Sequence, residues 1–220
     1  MSLSSVLARV ESAAGRCDRH PSEVTLVAVG KGRPVEAIVE LYEAGHRDFG
    51  ENRADELAAK AAVLPSDIRW HFVGHLQSNK ARMVRPTAAL LHSLDRASLA
   101  GAWLKGSGSA PPVLVQVNIG HEPQKSGVDP ERALEFAIEV SSLGLTVAGL
   151  MAIVPMVDEP ELARPYFSAL ASLRREIAEV LPTVSVLSMG MSDDFEVAVE
   201  EGATCIRVGR AIFEADYDAV

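Results

Sequence analysis

Residues 24–52 read VTLVAVGKGRPVEAIVELYEAGHRDFGEN, and this stretch sets the grammar of the chain. Residues 24–29 are a short apolar run rich in β-branched side chains, the pattern of a buried strand. Pro34 follows where a first-turn proline is tolerated, and Gly45 stops the helical segment after it. A second short run, 46–50, begins at once. Strand, helix and strand within so few residues imply parallel strands joined by a crossover helix.

The same grammar repeats. Further runs lie at 68–73, 89–94, 112–119, 146–153, 183–187 and 205–209, which with the first two makes eight. Runs 46–50 and 89–94 are weak on propensity alone. Pro130 opens a helix over 131–143, closed by Gly144. Pro160 precedes one over 161–180, ended by Pro182, with Pro165 marking its start or a kink. Residues 193–201 close at Gly202, and a helix over 4–16, with Val6, Leu7 and Val10 at helical spacing, precedes the first run. The glutamate-and-glycine ending of 43–45 returns at 201–202, which fits repeated βα grammar and proves no duplication. The fold expected is α/β, a single (β/α)8 TIM barrel with an additional N-terminal helix, one domain over residues 1–220. An open doubly wound sheet is the alternative. The stretch 106–112 is rich in Gly, Ser and Pro but short, and reads as a surface loop rather than a linker.

The net charge of −9 argues against a broad nucleic-acid interface, which needs clustered cations, but permits a local anion pocket. No apolar segment approaches the roughly 18–20 residues that span a bilayer, so no membrane association is expected. The first residues carry Arg9 and Glu11 and no long apolar run. Cys17 and Cys205 lie far apart and read as reduced thiols of a cytoplasmic protein.

In such a barrel ligands sit at the C-terminal strand ends. After the first run come Gly30-Lys31-Gly32-Arg33. Lys31 shares parity with Thr25, Val27 and Val29, which aims it at the barrel mouth. An amine desolvated there is a nucleophile toward aldehydes; an exposed loop lysine is the plainer reading. After the seventh and eighth runs come 187–192 and 208–213, the usual phosphate loops. There Gly190 and Gly209 allow close backbone approach, and Ser192 either donates to an anion or caps its helix. Arg207 interrupts an apolar strand. It is a partner for Asp48 or Glu51, an outward-facing residue, or a donor to a ligand. Asn52 caps a helix or meets a ligand. His71, His75, Trp70 and Trp103 read as structural, and Lys125 as rim or solvated. The sequence contains no nucleophilic triad, no set of metal ligands and no Gly-rich nucleotide loop.

Together, residues 27–31, 48–52, 70–80, 116–119, 125–127, 149–153, 187–192 and 206–209 make the chain resemble the pyridoxal phosphate homeostasis protein family, in order, from about Ser4 to Phe213. The resemblance implies a barrel like that of alanine racemase. It implies pyridoxal 5′-phosphate (PLP) held as a Schiff base on Lys31, with the phosphate at Ser192, Gly209 and Arg210. Met189 and Asn52 would lie nearby, and Arg207 against the pyridine nitrogen. It also implies a non-catalytic cofactor carrier, monomeric, that meets PLP-dependent apoenzymes transiently. An amino-acid racemase is the alternative. It needs an opposed acid–base group, and the tyrosines available are Tyr42, Tyr166 and Tyr217, none at an expected strand end. A colourless Schiff-base sugar enzyme is a third reading. The chain departs from the family pattern in three places. Gly30-Lys31-Gly32-Arg33 stands for Ser-Lys-Thr-Lys, which removes a second lysine as transfer amine. Arg53 replaces a common tyrosine, and Arg210 a small hydroxyl residue.

Overall fold

In the computed structural model, which describes residues 2–213, the parallel sheet closes on itself. Strands β1 (Thr25–Val29), β2 (Asp48–Glu51), β3 (Arg69–Phe72), β4 (Ala88–Leu94), β5 (Val113–Gln116), β6 (Val147–Met151), β7 (Val186–Ser188) and β8 (Cys205–Val208) form one barrel in sequence order. The open sheet is thereby excluded. Closure between β1 and β8 sets Val27 beside Arg207.

Helix α1 (Leu3–Gly15) precedes β1, and α2 (Val35–Glu43), α3 (Ala54–Ala61), α4 (Ala81–Val84) and α5 (Ala97–Leu104) follow β1 to β4. Helices α6 (Ala133–Ser142), α7 (Arg164–Val180), α8 (Phe195–Glu200) and α9 (Arg210–Phe213) follow β5 to β8. A 3₁₀ turn, Pro160–Ala163, leads into α7, so Pro165 lies in the first turn and marks its start, not a kink. Helix α8 begins at Phe195 rather than near Asp193. The Met191 N–H donates to Asp194 Oδ1 at 2.6 Å, and this bond keeps 191–194 a turn.

Strand alternation divides the side chains. Leu26, Ala28, Phe49, Trp70, Phe72, Leu91, Leu187, Ile206 and Val208 join the apolar layer between barrel and helices. The weak strand β2 is held by this arrangement: Phe49 is fully buried, and ladders to β1 and β3 bind both edges. Trp70 and Trp103 are core residues, as expected. Helix α1 buries Val6, Val10, Ala13 and Ala14. It is tied to α8 by Arg9–Glu196 and Arg16–Glu200 ion pairs, both 2.7 Å. Cys17 and Cys205 are free thiols, and burial pushes the Cys205 thiol up to about 11. Among the described residues no helix is long and apolar enough to cross a membrane.

At Gly149 a Cβ would stand 1.9 Å from the Val186 carbonyl oxygen on β7. Gly149→Ala must therefore push β6 from β7. It is expected to cost about 1–3 kcal/mol, the usual range for overpacking, read as a lower urea midpoint at unchanged slope.

Candidate functional site

The C-terminal strand ends enclose a cavity of about 300 Å³. Residues from the two ends of the chain meet there. The β1 loop contributes Lys31 and Arg33, and Asn52 follows β2. Opposite them lie Met191 and Ser192 after β7, and Arg207, Gly209 and Arg210 from β8 and its loop. Val29, Val73 and Ile153 supply apolar wall. A larger cavity of about 880 Å³ adjoins it and shares Ile153, Met191, Ser192 and Arg210.

Lys31 is aimed as its parity requires, but it is exposed on the lip rather than desolvated within. Among the described residues its amine has neither a hydrogen bond nor an ion pair. The turn that carries it is held from below. Lys60 on α3, only 6% exposed, donates to the Gly30 carbonyl at 2.7 Å and to Glu51 Oε1 at 2.5 Å. Burial pushes the Glu51 carboxyl up against the opposing pull of Lys60. Gly30 is closely packed: a Cβ there would lie 2.7 Å from Ile38 Cδ1 and 3.2 Å from Glu51 Oε1. Gly32 adopts φ +68°, where a β-branched residue is strained. Gly30 is thus set by packing and Gly32 by its backbone conformation.

Asn52 does not cap α3, whose N-cap position is Arg53 with no side-chain cap bond. Its Oδ1 is buried without a partner. Ser192 does not cap α8 either. Its Oγ accepts from the Ala211 N–H at 3.3 Å, joining the last two loops. Arg210 lines the cavity, exposed, and pairs with Asp193. Gly209 is packed so that a Cβ would lie 3.1 Å from the Val29 carbonyl oxygen.

Met189 is the exception. It is fully buried and belongs to the layer behind the barrel. Ser188 points inward, so alternation turns Met189 away, and Met191 is the methionine at the cavity. Arg207 faces inward, 5% exposed, so it is not the outward-facing residue of one reading, and the ion pair with Asp48 or Glu51 of another does not form. Asp48 is bound by Arg69 and His71, and Glu51 by Lys60. Arg207 instead donates from Nη1 to Ser188 Oγ at 2.6 Å and from Nη2 to the Ala152 carbonyl at 2.9 Å.

The remaining candidates are structural. Lys125 pairs with Glu122 and donates to the Val154 carbonyl at 3.0 Å, tying the β5 and β6 loops. His75 lies 3.2 Å from Ser126 Oγ. Tyr42 donates to Asp67 Oδ1 at 2.7 Å on the outer surface, and Tyr166 packs against the core. Tyr217 lies outside the described residues. Among the described residues no tyrosine lines the cavity. The sequence reading passed over Lys60, Ser188 and His92. Strand parity was the available signal for the last two, since each falls on an inward position.

The family model of the alanine racemase N-terminal domain matches residues 2–216. A pyridoxal phosphate homeostasis protein of Aquifex aeolicus is 42% identical over 217 residues, covering 96% of this chain and 95% of its own. Among solved structures, PipY of Synechococcus elongatus without PLP superposes with TM-score 0.82 at 36% identity, covering 94% of this chain and 99% of its own. PipY with PLP bound superposes with TM-score 0.78 at 36% identity, covering 93% and 99%.

Proposed function

The chain belongs to the pyridoxal phosphate homeostasis protein family, and on that premise we propose that it binds PLP in the 300 Å³ cavity and carries it without catalysing a reaction. The observation that carries this reading is the meeting of an unpaired lysine amine with the two last βα loops across one cavity. The residues fit such a group. The size is at the lower end of ordinary ligand pockets, roughly 300–1,000 Å³. Asn52 Oδ1 is a buried acceptor in need of a donor. Gly209 lets an anion approach backbone. The chemistry PLP supplies when bound is an aldehyde at one end of a flat ring and a phosphate at the other.

Each residue then has a task. Lys31 forms the Schiff base, with loss of one water. Ser192, Gly209 and Arg210 hold the phosphate, and Asn52 contacts the ring. Met189, being fully buried, supports this wall from behind. Arg207 donates and cannot accept, so it keeps a ring nitrogen facing it unprotonated and leaves the ring a poor electron sink. That favours storage and release over turnover. The exposed Lys31 suits transient delivery to apoenzymes. We take the protein to act as a single-domain monomer over residues 1–220, in the cytoplasm, where its free thiols stay reduced.

Borohydride reduction of the PLP-loaded protein, followed by peptide mass mapping, tests the assignment. A pyridoxyl adduct is expected on Lys31; one on another lysine overturns it. The racemase alternative is tested in D₂O. Loaded protein should incorporate no α-deuterium into L-alanine, whereas steady incorporation would establish turnover.

A further inference from the structure

A hydrogen-bonded chain crosses the barrel interior beneath the cavity, through residues to which the proposed binding mode gives no task. It begins at Arg207 on β8, which donates to Ser188 Oγ on β7 at 2.6 Å. Ser188 Oγ lies 2.9 Å from His92 Nδ1 on β4. His92 Nε2 lies 2.9 Å from His71 Nδ1 on β3. His71 Nε2 lies 3.1 Å from Asp48 Oδ1 on β2. Arg69 binds the same carboxylate from the outer side. His92 and Ser188 are fully buried and His71 is 7% exposed. Barrel interiors are ordinarily filled by branched apolar residues, so this polar file needs a reason.

The two ends fix its direction. A guanidinium has donors only, and an ionised carboxylate has acceptors only. Burial opposes the charge on Asp48, but the bonds from His71 and Arg69 hold its carboxyl well below the usual range. His71 Nε2 must therefore carry hydrogen. If His71 Nδ1 then accepts, His92 Nε2 donates to it, His92 Nδ1 accepts from the Ser188 hydroxyl, and Ser188 Oγ accepts from Arg207. In this arrangement every proton has an acceptor and no group is orphaned. Protonating His71 on both nitrogens would reverse His92 and leave Ser188 Oγ accepting from both sides. Burial of His92 pushes its imidazole well below its ordinary value, so it carries one N–H.

We propose that Ser188, His92, His71 and Asp48 are positioning residues, forming a one-way hydrogen-bond chain that couples Arg207 to a carboxylate at the opposite end of the barrel. The chain fixes the Arg207 guanidinium in one orientation on the cavity wall. It also ends on a carboxylate that is already paired with Arg69 and stands away from the cavity. That matters because a carboxylate in contact with a ring nitrogen would hold it protonated and make the ring a stronger electron sink. Only this last clause rests on the PLP reading; the direction of the chain does not.

The decisive measurement needs no ligand. Long-range ¹⁵N–¹H spectra of the ¹⁵N-histidine-labelled apoprotein should show His71 and His92 both as Nε2–H tautomers, with assignments from His71→Asn and His92→Asn. An Nδ1–H form of either histidine overturns the proposal. With PLP loaded, Ser188→Ala should raise the cofactor off-rate about tenfold, the scale of one lost hydrogen bond to a charged group, and shift the visible band. Ser188→Thr, which keeps the hydroxyl, should restore both. Asp48→Asn should shift the band in the same direction although Asp48 does not line the cavity. An unshifted band in both Ser188→Ala and Asp48→Asn, with the Lys31 adduct still forming, defeats the chain but leaves the proposed function standing. Expected tautomers in a protein that forms no adduct would do the reverse.

Discussion

Lys60→Met is expected to lower the unfolding free energy by about 3–5 kcal/mol, the range for breaking a buried ion pair from one side. Lys60 is 6% exposed and Glu51 fully buried. The methionine refills the stem but leaves the Glu51 carboxylate facing no cation. Glu51 Oε2 already has no hydrogen-bond partner, so nothing nearby takes up the charge. The loss should depend on pH with a definite sign. Burial raises the Glu51 carboxyl in the folded protein, so the folded state binds its proton more tightly than the unfolded chain. The contribution is greatest below the unfolded carboxyl value, about 4.3, and is lost as pH rises through the folded one. Removing Lys60 raises the folded value further, so the deficit of Lys60→Met should be smaller at pH 5 than at pH 8 in urea titrations. Glu51→Gln combined with Lys60→Met should recover most of it. A single variant as stable as the parent at pH 8 would show that the pair is solvated. Because Lys60 also holds the Gly30 carbonyl, the single variant should loosen the Lys31 turn as well.

Lys31→Ala should behave in the opposite way. Its amine is exposed and without a partner among the described residues, so stability should stay within about 0.5 kcal/mol of the parent. Binding should change sharply. The visible band and the borohydride-reducible adduct should vanish. Ser192, Gly209, Arg210 and Arg207 remain, so affinity for PLP should fall by about 100-fold, or ~2.7 kcal/mol, rather than disappear. Equilibrium dialysis separates the two components. Retention of the full band would mean that another amine makes the tether.

The architecture was legible because its signals are local. Runs of β-branched residues, Pro34 and Gly45 at the ends of α2, and Pro165 in the first turn of α7 each act within a few residues. Where local signals were thin the reading was thin too. The run 89–94 proved to be β4, Ala88–Leu94, with the polar His92 and Ser93 in the buried interior. Helices α3, α4 and α5 are short and carry no proline or glycine stop as clear as Gly45. Met189 is fully buried behind the barrel and Met191 lines the cavity, because the inward position of alternation falls on Ser188.

The order of strands and helices, the barrel, and the meeting of the two ends of the chain at one mouth were all written in local sequence. Hydrophobic period and turn chemistry are properties of neighbouring residues and survive without a three-dimensional context. The closed barrel alone makes Lys31 an exposed amine and Lys60 a buried counter-ion, and gives Arg207 the Ser188 hydroxyl and the Ala152 carbonyl as partners in place of a carboxylate. Those outcomes depend on which side chains from strands distant in sequence face one another across the closed barrel, and on how much water closure leaves beside each charge. Charge burial and hydrogen-bond partnership are pairwise quantities, and no single strand contains both members of the pair.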